Sequence, residues 1–365
     1  MAKKVIIAFL GNAKYDARCI NMANSLFNNG FKVIIIDEED PENENLGSNS
    51  FEVRHVKTLR KSGFIRYWNY HCKLQKIARQ VKPDIFISAD LFSLAVCSNQ
   101  NINCLKIYDS RELYSKLTSL VGKPIKQLFW SFFERKYYKN VNKVLVSAEK
   151  DREFLISRFG YKDIQLIFNF PNIQKKTSKI NLCHKFNISE KKKIFLYQGA
   201  IQIGRGIEEM ISLLNYFEDC VACIVGDGEH KREIIKLSEK LKISNRVFYT
   251  GKISYNELIS VSKQADIGFS LIQPLSDSYK QALPNKLFEY GLAGTPVIAS
   301  DFPEMKYYIN KYKLGIAVNP INEKEHLDAV NRLLKWKHTA ELITNVEDNL
   351  TWESQEHKFI QLFNL

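Results

Sequence analysis

No run of apolar residues in this 365-residue chain approaches the roughly 18 that a membrane-spanning helix requires. The first apolar run, VIIAFL from Val5 to Leu10, is shorter than the core of a secretory leader, so no signal peptide and a cytoplasmic location are expected. Cysteine is sparse and odd in number. The seven thiols are scattered over mostly apolar segments, which fits reduced, buried side chains better than a disulfide framework. Cys220 and Cys223 have the spacing of a redox or metal pair, but they open a predicted strand, where residues three apart point to opposite faces, and no second pair exists. Asp-x-Asp is absent as well, and no metal is expected. A pI near 9.2 implies attraction to polyanions in general; no segment resembles a nucleic-acid-binding module, and no nucleic-acid partner is expected.

What is present suits two domains with a core each: the length exceeds one typical core, and 45% of residues are hydrophobic and 12% aromatic. VIIAFL reads as a buried strand ending at Gly11-Asn12, followed by a helix, a C-cap at Gly30 and a second strand. KPDIFISADLFSLAVCS and CLKIYDSRELYSKL supply further strand and helix units. After Pro171-Asn172 comes a polar, Lys-rich connection without sustained apolar period, and the next strand begins at Ile194. From there, strand, glycine loop and helix recur: FLYQGAIQIGRGIEEMISLL (Phe195 to Leu214), then CIVGDGEHKREIIKLSEKL, then RVFYTGKISYNELISVSKQADIGFSL.

The most informative stretch is PNKLFEYGLAGTPVIASDFPE, Pro284 to Glu304. Pro284 suits a helix start, Leu287, Phe288, Leu292 and Ala293 form one apolar helical face, Gly294 ends the helix, and VIAS reads as a strand buried on both faces. Glu289 is thereby placed on a helix just before a buried strand. A helix N-terminus at the edge of such a sheet attracts phosphate, and a neighbouring carboxylate accepts bonds from sugar hydroxyls. An ordinary helix and strand of a doubly wound sheet has the same pattern.

These segments resemble the retaining GT-B glycosyltransferases of family 4, strongly from about 195 to 320 and more diffusely before that. The resemblance implies an α/β GT-B fold, two Rossmann-like doubly wound domains facing each other across a cleft: residues 1–173 binding acceptor, 174–350 binding nucleotide-sugar, and a closing helix at 351–365, capped by Thr351, that crosses back to the first domain. It implies that Glu289 holds the ribose and that the Gly204 loop holds the diphosphate. Gln281 stands where the family has its first motif Glu, Ala200 where it has Arg, Arg205 where it has Lys, and Arg111 where a His is common. Arg205 and Lys286 would then stabilise the departing diphosphate, with Arg111 as a third catalytic candidate; an Arg fork suits two phosphate oxygens at once. Asp109, Arg111 and Glu112 equally fit a surface ion-pair cluster. Gln281, Asn285, Leu287, Gly11, Asn12, Gly226, Asp227, Gly251 and Lys252 are the remaining implied donor contacts. Glycine turns of this kind are also commonly structural.

The implied reaction moves a sugar from a nucleotide-diphosphate donor, UDP favoured over GDP, to a glycan or lipid-linked acceptor, with retention and without a metal or other cofactor. Surface polysaccharide or lipopolysaccharide synthesis is the implied setting. A catalytically silent homologue serving as a partner subunit and a sugar-nucleotide epimerase of the same fold are the alternatives. Charge bears on the remaining partner: residues 1–175 hold 28 basic against 17 acidic side chains, residues 176–365 only 25 against 23. Between Val53 and Pro83 lie nine basic residues and no acidic one, interleaved with Phe64, Ile65, Tyr67, Trp68, Leu74 and Ile77 at helical spacing. That pattern fits peripheral binding to an anionic membrane, at the inner face of the plasma membrane; a solvated basic helix packed on its own domain by the same aromatics fits it equally.

Overall fold

The computed structural model describes residues 2–38, 50–58, 63–111, 113–114, 122–173, 180–336 and 340–363, so Glu112, Arg60 and Lys61 lie outside the described residues. The chain divides into two compact units, Met1–Asn169 with Gln355–Leu365, and Phe170–Ser354.

The first unit is built on seven parallel strands, β1 (Lys4–Ala8), β2 (Lys32–Glu38), β3 (Glu52–Val56), β4 (Ile85–Ser88), β5 (Leu105–Ser110), β6 (Lys143–Val146) and β7 (Asp163–Leu166), in the order β3-β2-β1-β4-β5-β6-β7. Its helices are α1 (Ala17–Asn28), α2 (Phe64–Val81), α3 (Leu91–Cys97), α4 (Pro124–Tyr138) and α5 (Glu149–Phe159). Local signals set their ends. Asp16 caps α1 by accepting from the Cys19 N–H at 2.8 Å. At the other end Gly30, at φ +81°, lets the Phe31 N–H reach the Leu26 carbonyl and the Gly30 N–H reach Phe27, a closed helix C-terminus that an L side chain would strain. Asp90 caps α3 through Ser93.

The second unit has six parallel strands, β8 (Lys193–Gln198), β9 (Cys220–Val225), β10 (Val247–Gly251), β11 (Ile267–Ser270), β12 (Val297–Ser300) and β13 (Gly315–Val318), in the order β10-β9-β8-β11-β12-β13. Helices α6 (Leu182–Phe186), α7 (Ile207–Leu213), α8 (Lys231–Lys240), α9 (Tyr255–Ser262), α10 (Asp277–Lys280), α11 (Asn285–Ala293), α12 (Pro303–Tyr312), α13 (Glu323–Leu333) and α14 (Ala340–Asn349) cover it. β8, β9 and β11 are nearly continuous apolar runs, as strands covered on both faces must be. Cys220 and Cys223 are both buried in β9 as free thiols.

Helix α15 (Trp352–Gln361) belongs to the first unit from Gln355 onward. Gln355 exchanges two hydrogen bonds with the Phe168 backbone, Lys143 donates to the Leu362 carbonyl, and Phe363 meets Phe31 edge-on. The Thr351 hydroxyl, just before this helix, donates back to the Glu347 carbonyl at 2.7 Å. Among the described residues no helix is long and apolar enough to cross a membrane.

In each sheet the strand order reverses once, between β1 and β4 and between β8 and β11. Ligands of open parallel sheets bind beyond the carboxyl ends of the strands at such reversals. Gly11 and Asp90 follow β1 and β4; Gln198 ends β8, and Leu271 follows β11.

Candidate functional site

In the second unit the reversal point gathers Lys286, Glu289, Arg205, Tyr197 and Gln198. Helix α11 starts at Pro284, which offers no side-chain cap, and every residue from Lys286 to Ala293 is buried. Gly294, at φ +72°, closes it, with the Thr295 N–H on the Tyr290 carbonyl. Lys286 and Glu289 are one turn apart and face the end of β8.

Lys286 is 8% exposed, and its side-chain nitrogen makes no hydrogen bond among the described residues. It rests 3.6 Å from the centre of the Tyr197 ring, and a Cβ added to Gly199 would stand 3.7 Å from Nζ. Burial, and then the Arg205 charge, push its pKa well below the lysine range, with Glu289 partly offsetting them. Glu289 is 7% exposed; burial raises its carboxyl to about 7, opposed by a hydrogen bond from Gln198 and by Lys286. Arg205 lies half-buried over the Tyr279 ring at 4.9 Å, and its buried Nε has no partner. The Arg205 charge is thus felt at Lys286, and among the described residues neither Lys286 Nζ nor Arg205 Nε has a hydrogen-bond partner. A dianion placed there would satisfy both orphan donors and return Lys286 to its charged form.

The loops around this point are tied by backbone bonds: Gly199 N–H to Val225, Ile201 N–H to Asp227, and Gly226 N–H to Gly251. Gly226 has φ +139°, and a Cβ on it would fall 1.9 Å from the Gly199 carbonyl oxygen, so this glycine is required by close packing of two loops. Asp227 is exposed and its carboxylate takes the Gly228 N–H; Lys252 is exposed at the end of β10. Gly204, at φ +75°, precedes Arg205 and packs beside Leu275 and Tyr279. Gln281 and Asn285 are half-buried on either side of Pro284. Leu287 has its side chain fully buried in the core, and its N–H donates to the Pro284 carbonyl. Gln198, which the sequence did not single out, proves to be the polar partner of Glu289, and Ser262, equally unmarked, is the partner of Gln198. A polar residue closing the apolar run KIFLYQ was the available signal for Gln198; Ser262 offered none.

In the first unit Gly11 and Asn12 follow β1. The Gly11 carbonyl accepts from Glu38, the Asn12 side chain accepts from the Lys14 N–H, and Asp90 and Asp37 accept from Leu10 and Ala13. Arg111 is committed within a buried network. Its Nε donates to Asp109 at 2.8 Å, its Nη1 to Asp16 and its Nη2 to the Cys19 sulfur, while Arg18, 1% exposed, clamps Asp109 and donates to the Ile167 carbonyl at 2.6 Å. The expected surface cluster at Asp109 and Arg111 is therefore an interior one, with Asp109 completely buried.

Helix α2 buries Tyr70, Leu74, Ala78 and Val81 and turns Ile65, Trp68, Lys76 and Arg79 outward on the opposite face. Helix α4 similarly exposes Ile125, Leu128, Phe129 and Phe132, one helical stripe, with Arg135 and Lys136 beyond them. Tyr67 meets Trp130 at 5.6 Å, and both pack on Phe92. Neither helix exposes an acidic side chain, since Glu134 is buried.

Two doubly wound parallel sheets, each reversing its strand order once, define a GT-B fold. Family models match both parts of the chain, glycosyltransferase family 4 over residues 17–175 and glycosyl transferases group 1 over residues 178–348, and the chain belongs to the group 1 glycosyltransferases. The fold is similar to that of sucrose-phosphate synthase from Thermosynechococcus elongatus, at TM-score 0.81 and 17% identity over 99% of this chain and 98% of that one. It is similar to Anabaena HepE solved in complex with UDP-glucose, at TM-score 0.76 and 13% identity over 99% of each chain. In sequence the chain is 25% identical over 261 residues to alpha-monoglucosyldiacylglycerol synthase of Streptococcus pneumoniae, covering 67% of this chain and 57% of the relative. The chain spans 64% and 42% of the lengths of the first two curated relatives it matches.

Proposed function

We propose that the protein is a glycosyltransferase that moves a sugar from a nucleotide-diphosphate donor, a UDP-sugar in preference to a GDP-sugar, to a glycan or lipid-linked acceptor. The observation that carries this reading is Lys286, a buried ammonium without a hydrogen bond, set beside Arg205. Such a pair is costly to bury without an acceptor and suits a diphosphate whose charge grows as it leaves. Glu289 holds the ribose, and Gln281 with neighbouring backbone amides holds the donor sugar. The departing diphosphate accepts the acceptor's hydroxyl proton, so anomeric configuration is retained and neither a metal nor a catalytic imidazole is needed. The structural likeness to a UDP-glucose complex and the sequence likeness to a glycolipid synthase support a nucleotide-sugar donor and a lipid-linked acceptor. Slow hydrolysis of one member of a panel of UDP- and GDP-sugars by the pure protein, followed by release of nucleotide, is the expected result. A panel with no turnover and no nucleotide binding would reject the reading in favour of a silent partner subunit.

The partner surface in this proposal is an anionic membrane, consistent with peripheral association at the cytoplasmic face and with a role in surface-polysaccharide or lipopolysaccharide synthesis. Its support is the joint exposure of apolar and cationic side chains on α2 and α4 without exposed acids. Cations near an anionic leaflet contribute about 1 kcal/mol each, screened over about 8 Å at physiological ionic strength. The protein should pellet with anionic vesicles at low salt and be released as salt rises. Replacing Lys73, Lys76 and Arg79 by Gln should release it while leaving donor hydrolysis unchanged. Equal pelleting with neutral vesicles would mean that charge plays no part.

A further inference from the structure

We propose that Gln198 and Ser262 form a positioning relay that orients the Glu289 carboxylate for the donor ribose; the proposal rests on the nucleotide reading of this site. Three polar side chains make one buried chain. The Ser262 hydroxyl donates to Gln198 Oε1 at 2.7 Å, and Gln198 Nε2 donates to Glu289 Oε2. Gln198 is 1% exposed and Ser262 fully buried. A buried carboxamide is tolerated when both its ends are bonded, and here each end has one partner, which sets the direction of the amide.

The relay is anchored at its far end. Ser262 is the last residue of α9, its hydroxyl is also 2.8 Å from the Leu258 carbonyl, and its own carbonyl accepts from the Thr295 hydroxyl at 2.7 Å. Thr295 follows Gly294 at the end of α11, so β8, α9 and α11 are joined around one carboxylate. Gln198 engages a single oxygen of Glu289. A carboxylate has about four acceptor sites, which leaves Oε1 and the second lone pair of Oε2 for a pair of vicinal hydroxyls.

The surroundings make this donor decisive for the charge on Glu289. The titratable groups that interact with it are Lys286 and Tyr290 on its own helix, with Tyr197 on β8 acting on Tyr290 and Arg205 on Lys286. Tyr290 donates to the Leu196 carbonyl, Tyr197 donates to the Ala200 carbonyl, and α14 turns apolar Ile343 and Val346 toward Gly294 and Gly291. Lys286 is itself pushed toward the neutral form. A hydrogen bond donated to the ionised carboxylate favours that form, and Gln198 supplies it without carrying charge.

The test is calorimetric binding of UDP-glucose, whose diphosphate keeps its charge throughout, from pH 5.5 to 9. For the parent protein, affinity should fall on the acid side as Glu289 takes up a proton. Gln198→Met keeps the length of the side chain and removes the donor. Its acid limb should move up by about one pH unit, so that binding is about tenfold weaker at low pH and nearly unchanged at pH 9. Ser262→Ala should shift the limb the same way by less, and Ser262→Thr, which restores a hydroxyl, should bring it back. This serine pair keeps the test valid if Gln198→Met fails to fold. An unmoved acid limb, or equal weakening at every pH, would reduce Gln198 to packing and overturn the relay. A parent with no binding, or with an acid limb that survives Glu289→Gln, would instead overturn the ribose assignment itself.

Discussion

Arg205→Ala is expected to lower turnover by a factor of about 100 or more, because the leaving diphosphate loses a planar cation as its charge develops. Steady-state kinetics on the donor identified by hydrolysis would measure it. Arg205→Lys should recover part of the loss, since a point charge cannot reproduce a two-point fork. Donor affinity should suffer less than turnover. Arg205 is one of the groups depressing the Lys286 pKa, so its removal lets the remaining ammonium recharge and hold the ground-state diphosphate. Equal turnover of the Ala variant and the parent would refute the role. The Arg205 guanidinium lies 4.9 Å from the centre of the Tyr279 ring, and Gly204, at φ +75°, precedes it in the loop.

Glu289→Gln should weaken nucleotide binding by roughly 1.5 to 3 kcal/mol with folding intact, because a neutral amide replaces a charge-assisted acceptor for the ribose. The sign of the accompanying pH effect follows from burial. The carboxyl is raised to about 7, so below that pH the parent already holds a neutral acid. The gap between parent and variant should therefore be widest above pH 7 and close as pH falls through it. Calorimetry with UDP and GDP at pH 6 and pH 8 checks both statements, and unchanged affinity at pH 8 would remove Glu289 from the binding site.

Much of this architecture was legible in the residues. β8, β9, β11 and β12 are apolar runs bounded by turn residues, and α11 has a proline start, an apolar face and a closing glycine, all local signals with local causes. Lys286 and Glu289 could be placed together because one helical turn separates them. The core-filling role of Leu287 was less legible: motif adjacency marks a position, whereas on α11 the same turn also has to fill the core. Arg111 was harder still. Its partners Asp16 and Cys19 come from α1 and its N-cap, more than 90 residues away in the chain, and nothing local announces such a pairing. Ser262 was invisible because a serine ending a helix is ordinary until a buried carboxamide is brought against it.

Helix α11 carries the proposed donor site and the core on the same residues, with eight consecutive buried positions from Lys286 to Ala293. That limits how this protein can change. A substitution on the helix that alters donor preference also alters the packing of the second unit, so gains in one are penalised by losses in the other. Gln281 and Asn285, half-buried beside Pro284 and outside that run, are the positions where donor preference can drift at little cost to folding. Selection for a new donor should accordingly collect its first substitutions there, and those reaching the buried run from Lys286 to Ala293 should arrive only with compensating changes in the helices packed on it.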